Sequence, residues 1–107
     1  MFRNLAKGIY MPKHTWTLSE EQLCCKEVLL EYVKPSECEP KPTNQFIDYL
    51  HAKLPSIERG SIRMKIQNIK SILEEYRIPN RLDISCLDNY SLLNLEAFNQ
   101  MLLELAR

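Results

Sequence analysis

The chain has 107 residues, of which 45% are apolar and 26% charged, and its 14 basic side chains balance its 14 acidic ones. That is the size of one domain and the composition of a chain with a core, which excludes a disordered segment and a strongly charged polyanion binder. Two glycines are too few for a turn-rich β fold, and the uncharged runs fall far short of the roughly 18 apolar residues that a membrane span needs.

The opening MFRNLAKGIYMPKH is basic but has no apolar run and no small-residue cleavage site. Residues 1–15 therefore read as an N-terminal arm ahead of a helical domain over 16–107, and the expected location is the cytoplasm. Thr17 and Glu20 form the S/T-x-x-E capping box, so the first helix is expected over 18–34. Leu23, Cys24, Val28, Leu29, Leu30, Tyr32 and Val33 cover most of its circumference, with Glu20, Glu27 and Glu31 on a narrow polar strip, as in a centrally placed helix. Pro35 ends it, and PSECEPKP reads as a surface loop.

The spacing of Phe46, Ile47, Leu50 and Leu54 predicts a second helix over 43–54, stopped by Pro55. PSIERG is a tight link in which Gly60 can take φ > 0, and Ser61 is the expected N-cap of a third helix over 61–77. Ile62, Ile66, Ile69, Ile72, Leu73 and Tyr76 share one arc of that helix. Opposite them runs a ridge of Arg63, Gln67, Lys70 and Glu74, flanked by Met64, Asn68 and Ser71. Ile78-Pro79-Asn80 breaks the helix, and residues 81–90 read as a loop. A last helix over 91–106 is expected to bury Leu95, Phe98, Leu102 and Leu105. Leu92, Leu93, Met101 and Leu103 then form surplus apolar surface that suits a second chain, a homodimer included. The fold class expected is all-α, a compact bundle of about four helices with a helix-turn-helix core.

Charge is unevenly spread. Residues 59–81 hold six cations and two acids, a net +4, whereas residues 17–40 hold six acids and two cations, a net −4. A helix, a short turn with glycine and a second helix bearing an outward polar row is the helix-turn-helix pattern, in which the second helix enters the major groove. Arginine matches guanine and Gln or Asn matches adenine through paired hydrogen bonds. Arg63, Gln67 and Asn68 are the candidate base readers, and Arg59 and Lys70 the candidate phosphate holders. Lys65, at the edge of the apolar arc, is expected to snorkel towards a phosphate. Polar rows of this kind also serve simply to solvate a helix, so the partner predicted, double-stranded DNA, depends on the Arg63–Gln67–Lys70 ridge facing outward.

HTWTLSEEQLCCKEVLLEYV resembles the W-[ST]-x-E-E start of Myb/SANT-like three-helix domains. GSIRMKIQNIKSILEEY is similar to the S-[IV]-x-M-K-[LIV]-x-N helix of a small module found ahead of HNH-type and restriction-like nucleases in bacteria. The resemblance spans residues 14–100, with a weaker match at NYSLLNLEAF, and puts Ser61, Met64, Lys65 and Asn68 on motif positions. It implies DNA contact, or accessory targeting of a nuclease. The chain departs from such nucleases in having no H-N-H cluster, no PD-(D/E)xK pattern and no Gly-rich phosphate loop, so it is not expected to be an enzyme. The alternative is a protein-interaction module, such as a phage or mobile-element factor occupying a bacterial defence complex, using the acidic first helix and the helix over 91–106.

Trp16 reads as a core anchor at the start of the first helix, ahead of a role in stacking on an unpaired base. Cys24, Cys25, Cys38 and Cys86 have no C-x2-C spacing and no relation to His14 or His51, which points to reduced, packed thiols rather than zinc. No cofactor, metal or small-molecule substrate is expected.

Overall fold

A computed structural model describes residues 14–106; the expected N-terminal arm, His14 and Thr15 excepted, lies outside them. Among the described residues there are four α-helices and no strand: α1 (Leu18–Val28), α2 (Thr43–Lys53), α3 (Arg59–Glu75) and α4 (Leu92–Leu105). The fold is thus an all-α bundle. No helix in this span is long and apolar enough to cross a membrane.

α1 starts where local chemistry dictates. The Glu20 amide donates to Thr17 Oγ1 at 3.3 Å and the Thr17 amide donates to Glu20 Oε1 at 3.0 Å, so both halves of the capping box are made. The helix then widens into a π turn over Leu29–Val33, closed by the Lys34 amide donating to the Leu29 carbonyl at 2.9 Å. α2 follows Pro42 and buries Phe46, Ile47 and Leu50. Buried Ile57 anchors the short link to α3, and α2 packs on α3.

α3 begins at Arg59 behind Glu58, two residues before the expected cap at Ser61, which is itself buried in the first turn. Gly60 has an ordinary negative φ there, so the expected φ > 0 is not used. The positive φ falls instead on Arg77, at 56°. It terminates α3 in a Schellman motif: the Ile78 amide donates to the Leu73 carbonyl and the Arg77 amide to the Glu74 carbonyl. Tyr76, expected in the core arc, is instead exposed at this helix end.

α1 and α4 run side by side in the same direction, since Glu21 meets Asn94 near their starts and Lys26 approaches Glu104 near their ends. Ser91 caps α4, accepting from the Asn94 amide at 3.0 Å. The expected inward stripe of α4 needs correction. Asn94, Ala97, Phe98 and Met101 are buried, while Leu95 and Leu102 are half-buried and Leu105 is exposed. The helix is rotated so that Asn94 Nδ2 donates to Glu21 Oε1 at 2.8 Å inside the bundle. A buried carboxylate needs such donors, and that demand outranks placing one more leucine inside.

The core joins all four helices through Cys24, Cys25, Val28, Phe46, Leu50, Ile62, Ile66, Ile69, Leu73 and Phe98, with Leu82 from the loop after α3. Each fully buried large aliphatic or aromatic side chain contributes about 1.5–3 kcal/mol relative to exposure.

Candidate nucleic-acid interface

The residues expected to meet DNA do not share one environment. Arg63 and Met64 face solvent, and the Arg63 guanidinium has no hydrogen bond or ion pair among the described residues. Arg59 is also exposed but is paired with Asp48 of α2. Gln67 and Asn68 are half-buried: Gln67 Nε2 donates to Ser85 Oγ at 3.0 Å, and the buried Oδ1 of Asn68 has no partner within the described residues. Lys70, with its side chain 16% exposed, is tied to Asn80 Oδ1 at 2.8 Å and Glu74 Oε2 at 3.0 Å.

Ser61 and Lys65 lie inside the bundle, so two positions of the expected footprint are corrected. Lys65 does not snorkel outward. Its ammonium turns in to Glu21 Oε2 at 2.8 Å and sits 4.8 Å from the centre of the Trp16 ring, which covers this end of α1 as a half-buried anchor. The reason is electrostatic: Glu21 is itself buried, and only a cation with hydrogen-bonding reach offsets the loss of its hydration.

The outward ridge is therefore open at Arg63 and closed further along. The segment after α3 folds back beside it, with Ser85 on Gln67, the Leu87 carbonyl accepting from Ser71 Oγ, and Tyr90 donating to Glu75 Oε1. What stays accessible is the N-terminal half of α3, the part of a recognition helix that contacts base edges in helix-turn-helix proteins.

Next to Arg63 the chain builds a feature that periodicity does not report. Lys41, Arg63 and Arg81 line one cleft of about 400 Å3 together with Thr43, Asn44 and Asp83. Three separate segments supply those cations, and the two loop segments, at Lys41 and Arg81, are held in place. Glu31 accepts from the Lys41 amide at 2.6 Å and from its ammonium at 3.2 Å, while Tyr32 Oη donates to the Lys41 carbonyl at 2.7 Å. The Arg81 amide donates to the Tyr32 carbonyl at 2.9 Å, and its guanidinium to the Cys38 carbonyl at 3.3 Å. Thr43 Oγ1 donates to the Asp83 carbonyl at 2.8 Å, which joins the start of α2 to the loop after α3.

Partial burial would raise the Glu31 carboxyl, but the hydrogen bonds and charge of Lys41 outweigh it and hold the group below its ordinary value. Glu31 is thus an anion that fixes the loop. Pro42 gives the first amides of α2 no side-chain cap, so the helix presents its positive end at the same cleft. A concave surface of this kind suits a doubly liganded oxygen anion such as a backbone phosphate.

The surface expected on α4 also divides. Leu92 and Leu103 are exposed, Leu93 is half-buried, and Met101 is buried, so Met101 is withdrawn from that surface. Its loss follows from the rotation of α4 towards Glu21. Of the cysteines, Cys24 and Cys25 are packed in the core as expected, but Cys38 and Cys86 are exposed in loops, and all four are free. No group of three or more His, Cys, Asp or Glu side chains converges as metal ligands among the described residues.

No protein-family model, no curated protein and no solved structure matches this chain.

Proposed function

We propose that this chain is a DNA-binding helix-turn-helix module that acts by binding rather than catalysis. The N-terminal half of α3, with Arg59, Arg63 and Met64, faces the major groove, and Lys41, Arg63 and Arg81 hold the backbone. The observation that carries this reading is Arg63: an exposed guanidinium with no ion-pair partner among the described residues, sharing a cleft with two further cations. Lys41 is already paired with Glu31 and Asp83 also lines the cleft, so the Arg63 and Arg81 guanidinium groups are the cations left there to attract an anion such as a phosphate. The family resemblance of the sequence adds support and suggests a targeting role beside a nuclease.

The narrowed footprint sets the size of the expected effect. With about three phosphates neutralised, log K falls with log salt at a slope of roughly −2.7. Fluorescence anisotropy on a mixed-sequence duplex across a salt series measures it. Arg63→Glu with Arg81→Glu abolishes binding, whereas Lys70→Met leaves it within about twofold, because Lys70 is already held by the protein. Salt-independent binding, or full binding by the double reversal, overturns the proposal.

A further inference from the structure

The outward face of α3 opens on a residue with no side chain. Gly60 is exposed in the first turn, and a β-carbon placed on it would meet no other segment of the described residues within 4 Å. Its φ is not positive, so the backbone there accepts an ordinary side chain. Glycine is also the poorest helix former after proline, because its backbone loses the most freedom on folding. Neither conformation nor packing among the described residues calls for glycine at this position.

Helical spacing fixes what surrounds it. At about 100° per residue, buried Ile62, Lys65, Ile66, Ile69 and Leu73 form one arc of α3. Gly60 stands opposite the centre of that arc, with Gln67 about two turns further along the same line. Met64, 49% exposed, flanks this line on one side, and Arg63 flanks it on the other. Arg59, beyond Arg63, is paired with Asp48 of α2. The part of α3 farthest from the core is therefore bare backbone beside an exposed thioether, with its cations along one edge.

We propose that Gly60 is the point of closest approach between α3 and a DNA duplex, where the helix backbone rests against the floor of the major groove. The proposal rests on the DNA-binding reading and adds to it the contact that sets the depth of docking. A helix without a β-carbon at this position comes nearer to the base edges than one that carries a side chain there. The first turns of a recognition helix are the ones that meet base edges. At that depth Met64 packs on an apolar edge such as a thymine methyl group. Arg63, on the neighbouring edge, meets the strand backbone at the cleft it shares with Arg81. A merely solvated face accounts for neither residue, since water accommodates a charged helix former at both positions.

Gly60→Ala and Gly60→Gln test the proposal, with thermal melting and fluorescence anisotropy on the mixed-sequence duplex read side by side. Both substitutions favour the helix, so both chains melt above wild type, Gly60→Ala by about 2–6 °C. Binding moves the other way and in order of size. Gly60→Ala weakens it by about threefold to tenfold and Gly60→Gln by about a hundredfold, as overfilling a close contact does. Gly60→Ala alters no charge, so its slope of log K against log salt keeps the wild-type value. Variants that melt higher yet bind as tightly as wild type overturn the inference and leave the DNA reading standing. A variant that melts lower assigns the glycine to the fold and overturns the inference too. A wild-type chain that does not bind the duplex removes both.

Discussion

Lys65 Nζ lies 2.8 Å from Glu21 Oε2, with side chains 7% and 1% exposed, and this ion pair joins α3 to α1 inside the bundle. Asn94 of α4 donates to the other oxygen of the same carboxylate, so three helices meet on one charged group. Removing two charges from water costs several kcal/mol per ion before their attraction is counted, which makes the pair a weak source of net stability and a strong constraint on register. It accounts for two features at once: the absence of Lys65 from the basic surface, and the rotation of α4 that puts Met101 inside and Leu92 outside.

Breaking one side of this pair leaves the other charge stranded. Lys65→Met and Glu21→Leu are each expected to destabilise the fold, Lys65→Met by about 3–5 kcal/mol, and the double change Lys65→Met with Glu21→Leu by markedly less than the sum. Urea melts of the four members of this cycle measure the coupling. Additive losses would show that the two groups do not act as a pair.

Thiol reactivity should divide the cysteines into two classes. Burial, then the charge of Glu21, pushes the Cys24 thiol up to about 12, and burial together with Cys24 raises Cys25 as well. Neither is a thiolate near neutrality, and both are shielded. Cys38 and Cys86 are exposed. An aromatic disulfide reagent is expected to modify two of the four thiols promptly, and all four once the chain is unfolded. Four prompt thiols in the native state would mean that the inner face of α1 is open to solvent.

Arg77 adopts a left-handed conformation, φ 56°, that favours glycine. Arg77→Gly is therefore expected to stabilise the protein by about 0.5–1 kcal/mol, and Arg77→Val to destabilise it, because a β-branched side chain tolerates this region least. Thermal unfolding reads both changes, and a lower melting temperature for the glycine variant counts against the Schellman geometry at the end of α3.

The elements legible in the sequence are those whose signals are local. Thr17 and Glu20 are three residues apart, and their reciprocal bonds marked the start of α1 correctly. The isoleucine arc of α3 is legible because apolar residues at helical spacing leave one side to bury. Ser61 misled because serine is the better cap by chemistry, while Ile57, buried just upstream, draws the helix start back to Arg59. Lys41 and Arg81 escaped notice because neither belongs to the periodic pattern of a helix, and only the packing of the two loops brings them to Arg63.

Composition and short-range spacing alone settle that this chain forms helices, and largely where they begin and stop, since caps and apolar arcs act over three or four residues. Tertiary structure decided which way the polar residues at the helix borders turn. Lys65 finds its carboxylate 44 positions away, and that carboxylate finds Asn94 73 positions away. Such contacts leave no periodic trace, because the energy of a buried charge depends on what surrounds it in space and not on its neighbours along the chain.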